Sequence, residues 1–164
     1  MRPDHRIVAF VILALAVFAP HTSHADEDRS RLIDSMLREV NMQRALNGAG
    51  VLTLNDRLTA AAQKHAEDMA KRDYFDHRSP DGRGYQERIA SEGYAWRAIA
   101  ENLGAGLSSP KSTVNAWMTS PGHRENMLSW DYYDAGIGYV RPSGKGKRPR
   151  YAHYWVIVFG ARSR

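Results

Sequence analysis

The 164-residue chain is 43% hydrophobic and 25% charged, with thirteen glycines, seven prolines and no cysteine. These values exclude a disordered tail, a collagen repeat and a disulfide scaffold, and leave one globular domain as the expectation. A net charge of +5 at pH 7 is a mild excess that names no partner by itself.

Arg2 and Arg6 precede a charge-free, mostly aliphatic run from Ile7 to Ala19, and Ser23 and Ala25 are small residues spaced as at a cleavage site. The pattern predicts a secretory signal peptide over residues 1–25 and a single domain over 26–164. The apolar run has thirteen residues, short of the roughly twenty a membrane-spanning helix needs. Cleavage after Ala25 leaves 139 residues, a charge of +4 and four histidines, His65, His77, His123 and His153. A chain of that length buries about two thirds of its unfolded surface. Without cysteine, an exported domain must rely on packing or on a metal where many secreted domains use disulfides. With no second hydrophobic span and no sorting signal visible, the expected product is secreted, extracellular or periplasmic, not integral to a membrane, and monomeric.

Leu32, Ile33, Met36, Leu37, Val40 and Leu46 recur at helical spacing, which predicts an amphipathic helix from about Arg29 to Leu46, stopped by Asn47-Gly48. A second helix begins after Asn55 or Asp56, either of which can accept hydrogen bonds from free first-turn N–H groups. Its buried stripe is Leu58, Ala61, Ala62, His65, Ala66 and Met69. Asp73 to Gly84 reads as a loop carrying His77, because Pro80 cannot continue a helix. A short helix over Tyr85 to Ser91 ends before Gly93, and Trp96 to Gly106 runs irregularly or as a short strand. Ser109-Pro110 matches an N-cap followed by proline in the first turn, opening a helix through Trp117; Ser120-Pro121 repeats the device before His123 to Leu128.

The last third changes period. Ala135 to Val140 and Tyr151 to Phe159 read as strands, joined by a basic loop with five Lys or Arg from Arg141 to Arg150. Alternation places Tyr151, His153, Trp155, Ile157 and Phe159 on one face and Ala152, Tyr154, Val156 and Val158 on the other. Both faces look covered, so a sheet packed between helices follows.

Standard catalytic signatures are missing. His65-Ala66-Glu67-Asp68-Met69 lacks the Glu directly after His, and the second His, of a zinc protease helix. No Gly-x-Ser-x-Gly elbow, phosphate-binding glycine loop or thiol is present. The remaining polar candidates are His77, Glu101-Asn102 and the cluster from Gly122 to Asn126. Two imidazoles and a carboxylate meeting in a cleft can hold Zn²⁺ or another divalent ion and leave a position open for water. His65, on the apolar stripe, reads as a core histidine, and His153 as structural among aromatics. Asn102 and Asn126 read as ties between loops and backbone, and Arg124 as the partner of a carboxylate.

The runs Phe75 to Gly82, Ala100 to Gly106, Trp117 to Leu128 and Tyr154 to Gly160 resemble the bacterial branch of the CAP superfamily, the cysteine-rich secretory, antigen 5 and pathogenesis-related proteins. The resemblance covers about Leu32 to Gly160. It implies an α+β fold, a three-layer α-β-α sandwich of SCP-like type, and a cleft lined by two His and two acidic residues able to hold a divalent ion. Matched by position, His77 and His123 take the histidine places and Glu101 the first acidic place. The second acidic place falls on Ser120, so a metal site would have three protein ligands, His77, Glu101 and His123, with Asn102 and Ser120 as further binding residues. Glu125 could substitute, but two positions apart on a helix it cannot share a face with His123. No organic cofactor and no nucleic-acid partner is expected. The reading that follows is an extracellular binding module for a lipid, peptide or cell-wall ligand; the alternative is a metal-dependent extracellular hydrolase using the same cleft.

Overall fold

Alternation in the last strand decides the layering. The computed structural model describes residues 24–142 and 149–163; the expected signal peptide up to residue 23 and the centre of the basic loop lie outside them. The elements are α1 (His24–Leu46), β1 (Thr53–Leu54), α2 (Asp56–Arg72), α3 (Tyr85–Ser91), β2 (Trp96–Ala105), α4 (Pro110–Thr119), α5 (Pro121–Leu128), β3 (Asp134–Val140) and β4 (Tyr154–Arg162). They build a four-stranded sheet in the order β1-β3-β4-β2, antiparallel except for the β1–β3 pair.

On one face of β4, Trp155, Ile157 and Phe159 pack with Met36 and Val40 of α1, Val114 and Trp117 of α4 and Met127 of α5. On the other, Tyr154, Val156 and Val158 pack with Leu58, Ala62, Ala66 and Met69 of α2 and Ile89 of α3. Each fully buried side chain of this size contributes about 1.5–3 kcal/mol. The fold is therefore an α+β sandwich with the sheet between two helical layers. Local signals start the helices as expected: the Asn55 side chain accepts from the Arg57 and Leu58 N–H groups, and the Ser109 side chain from Ser112 N–H.

Several elements differ from the sequence expectation. α1 is already helical at His24, where the described residues begin, rather than only from near Arg29, and it carries Asp26 and Glu27 ahead of the expected start. Leu46, assigned to its apolar stripe, is 73% exposed, and Arg44 is fully buried. The Arg44 guanidinium donates to the carbonyls of Gly50, Met127, Ser129 and Tyr132, tying the end of α1 to the loop after α5. Trp96–Ala105 is a continuous ten-residue strand, paired along β4. β4 begins at Tyr154, so His153 lies just before it, stacked on Tyr139 with its Nδ1 2.8 Å from the Tyr139 hydroxyl.

Gly136 and Gly138 let α2 lie directly on β3. A Cβ on either would fall inside the α2 backbone at Leu58–Thr59 or Ala62–Gln63, closer than real side chains approach. Among the described residues no helix is long and apolar enough to cross a membrane.

Candidate functional site

β2 is the outer strand of the sheet, and its alternation splits the candidate residues between the two layers. Ile99 and Leu103 pack into the α2/α3 layer and Ala100 into the α1/α4/α5 layer. Glu101 therefore points toward α2 and α3, whereas Asn102 points toward α5. The loop carrying His77 approaches the outer strand from one side and α5, carrying His123, from the other.

Glu101 is the centre of the first group. Its side chain is 1% exposed, and Arg88 of α3 neutralises it, donating from Nη2 to Oε2 at 2.9 Å and to Oε1 at 3.1 Å. A carboxylate this buried needs such a partner. His77 Nδ1 lies 2.8 Å from Oε1. Because the carboxylate can only accept, Nδ1 carries the proton, and Nε2 has no hydrogen-bond partner among the described residues on a side chain that is 49% exposed.

Behind Glu101 sits His65, 1% exposed, with Nε2 donating to the Asp76 carbonyl at 3.1 Å. Burial, more than any neighbour, lowers its pKa to about 4, opposed by the pull of Glu101. It is neutral near pH 7, so its 4.0 Å approach to Glu101 is not an ion pair there. Tyr74 completes the shell, donating to Asp68 at 2.6 Å and lying 3.2 Å from Ser79 Oγ. His65 is thus the core histidine expected, and also a neighbour of the site.

The second group positions His123. Asn102 is fully buried; its Nδ2 donates to the His123 carbonyl at 2.9 Å, and its Oδ1 accepts from Asn126 Nδ2 at 2.9 Å. Both ends of the amide are used inside the protein, so Asn102 holds α5 in place and presents no surface to a ligand. Burial first, and then the proximity of His77, lowers the His123 pKa. Ser120 joins α4 to α5 and makes no side-chain capping bond. Arg124, expected to pair with a carboxylate, donates instead to Asn47 Oδ1 at 3.2 Å.

His77 and Glu101 converge and His123 faces them across the strand, yet the three do not form a ligand set. Among the described residues no three His, Asp or Glu side chains are placed to hold a metal ion. Both Glu101 oxygens are already engaged by Arg88, and a divalent ion there would meet a fixed guanidinium charge. Two imidazoles alone fall short of the three protein ligands of a hydrolytic zinc site. Glu101 instead orients His77. Arg88 and Ser79 were missed by the sequence reading; the signal was Glu101 itself, a carboxylate among the apolar Ile99, Ala100 and Leu103 that demands a buried cation.

An α-β-α sandwich with this loop and helix converging on its outer strand belongs to a known class. The chain is a member of the cysteine-rich secretory protein family, CAP, whose model matches residues 37–159. It is 31% identical over 119 residues to the uncharacterized protein YkwD of Bacillus subtilis, covering 73% of this chain and 46% of that one. A membrane protein of the same organism, YlbC, is 28% identical over 101 residues, covering 62% and 29%. The chain thus spans less than half the length of these relatives. Among solved structures, an extracellular SCP-domain protein of Bacillus anthracis superposes with a TM-score of 0.72 at 20% identity, covering 88% of this chain and 45% of that one. An outer surface protein of Borrelia burgdorferi gives 0.70 at 22% identity, covering 87% and 98%. At these identities the likeness is one of fold.

Proposed function

We propose that this chain is an exported CAP-domain binding module that takes its ligand in the cleft where His77 and His123 flank β2. The observation that carries the reading is the fixing of His77: a buried carboxylate, itself held by Arg88, binds Nδ1 and leaves Nε2 at a half-exposed surface. Such pre-organisation is wasted on a purely structural loop and suits recognition. Export is supported by the signal-like segment over 1–25 and by structural neighbours described as extracellular or outer-surface proteins. The ligand classes consistent with an exported module are lipid, peptide and cell-wall component. No observation favours the metal-dependent hydrolase.

The test is spectral. Backbone resonances of the ¹⁵N-labelled protein are followed while anionic lipid vesicles, blocked peptides or solubilised cell-wall fragments are added in turn. One class is expected to shift residues around His77, Glu101 and His123, with binding at least tenfold weaker in His77→Ala and His123→Ala. Shifts confined to other surfaces in all three titrations overturn the proposal. Zn²⁺ titration by calorimetry near pH 7.5 is expected to give no tight site; tight binding lost in both histidine variants would restore a metal role for the cleft.

A further inference from the structure

Among the described residues the outer edge of β2 has no partner strand, and it runs between the loop carrying His77 and the helix carrying His123. Gly106 N–H donates to the His153 carbonyl, and Gly106 follows a register in which Ala105 opposes Tyr154 and Ala98 opposes Ala161. Antiparallel alternation then turns the main-chain groups of Ala98, Ala100, Asn102 and Gly104 toward β4, and those of Ile99, Glu101 and Leu103 away from the sheet. The indole of Trp117 confirms the parity, donating from Nε1 to the outward Leu103 carbonyl at 2.8 Å. Among the described residues, the N–H and C=O of Ile99 and Glu101 and the N–H of Leu103 have no hydrogen-bond partner.

This arrangement is unusual in where it sits. Native folds cover, shorten or charge their free edges, because unpaired main-chain groups recruit other strands. Here the run is neither on the open surface nor paired. Glu101 as a whole is 5% exposed while its side chain is 1% exposed, so the little of it that meets solvent is mostly backbone. Buried main-chain donors and acceptors are normally all satisfied.

We infer that the cleft binds a peptide segment in extended conformation, added as a strand along Ile99–Leu103; the inference rests on the binding-module reading of the same cleft. Outward groups recur at every second residue, about 6.5–7 Å apart. An extended polypeptide offers N–H and C=O groups at that repeat, whereas lipid chains carry none and glycan hydroxyls follow no such period. Trp117 occupies the Leu103 carbonyl at one end, and the register shift between Trp96 and Ala98 ends regular pairing at the other. The free edge therefore takes about four or five residues. Successive ligand side chains alternate between the wall of His77 and the wall of α5 bearing His123, which is where sequence preference arises.

The test reads individual amides in the full ¹⁵N-labelled chain. In the free protein, Glu101 and Leu103 amides are expected to exchange with solvent at least tenfold faster than those of Ala100 and Asn102; equal protection would mean the edge is already covered and would sink the inference. A pool of acetylated, amidated hexapeptides is then added. Protection of the outward amides by at least tenfold is expected, and its absence across the pool up to millimolar concentration overturns the proposal. For the strongest member, N-methylation at alternate residues should weaken binding at least tenfold and at intervening residues should not; uniform tolerance also overturns it. Ile99→Pro deletes one outward donor at a position where a sheet accepts proline, and should weaken binding at least tenfold. The N-methylated peptides make the same measurement should that variant not fold. Lipid or cell-wall fragments that shift His77 and His123 without protecting edge amides would leave the binding module standing and remove the peptide. Edge protection that survives His77→Ala and His123→Ala would keep the peptide on the strand edge and overturn the placing of the two histidines in the binding site.

Discussion

At one edge of the sheet Gln63 of α2 reaches over β3, its Nε2 donating to the Tyr139 carbonyl at 3.2 Å and its Oε1 accepting from Tyr139 N–H at 2.9 Å. At the other edge, among the described residues, the outward main-chain groups of Ile99–Leu103 are met only by the Trp117 indole, at the Leu103 carbonyl. The first edge is closed further by β1 against Asp134 and Ala135 and by the close approach of α2 over Gly136 and Gly138. One amide side chain there does the work of a missing strand. The second edge has polar residues on both flanks and open main-chain groups between them. On the proposed reading, packing is concentrated at the closed edge and recognition at the open one, a division expected when binding groups must stay unsatisfied until a ligand arrives.

Four experiments break or sharpen this contrast. The largest effect is expected at the closed edge: Gly138→Ala drives a Cβ into the α2 backbone, and thermal or urea unfolding should show a loss above about 4 kcal/mol. At the open edge, Glu101→Ala leaves the Arg88 guanidinium buried without its carboxylate, and about 3–5 kcal/mol should be lost. The double variant with Arg88→Met should recover a large part of it, since no uncompensated charge remains.

The third experiment varies pH. His65 has a folded pKa of about 4 against an ordinary 6.5, so the unfolded chain binds its proton more readily. The His65 contribution is fully present above pH 6.5 and is lost as pH falls through that value toward 4, amounting to about 3 kcal/mol at most. Asp68, whose pKa is also lowered, with hydrogen bonds from Arg72 and Tyr74 outweighing burial, adds its own loss only at lower pH. Urea midpoints measured from pH 7 to pH 4 should fall more steeply in the parent chain than in His65→Gln. The smallest effect is Gln63→Ala, which uncovers Tyr139 for about 1–2 kcal/mol and should make its amide exchange faster. If that amide stays protected, the side-chain clamp is not what closes the edge.

Much of this was legible beforehand for reasons of short range. Period-two alternation in Trp155 to Phe159 assigned both sheet faces, and a 3.6-residue period assigned the α2 stripe, because each depends on neighbours a few positions away. Asn55 and Ser109-Pro110 marked helix starts through bonds closed within three residues. The family resemblance chose His77, Glu101 and His123 but not their relation. Leu46 and Arg44 show the limit: periodicity placed Leu46 on the apolar stripe, and bonds from Arg44 to Met127, Ser129 and Tyr132, more than eighty residues away, decided that the cation rather than the leucine is inside.

By itself, then, the sequence determined a cysteine-free α+β sandwich with two covered sheet faces and a short set of histidine and carboxylate candidates. Only the tertiary structure decided that Arg88, thirteen residues before Glu101, takes up its carboxylate, that Asn102 serves α5, and that the outer side of β2 has no partner strand among the described residues. The physical reason is the range of the forces involved. Periodicity and capping are settled within a turn, while the partner of a buried charge and the neighbour of a strand edge are fixed only when distant segments close on one another.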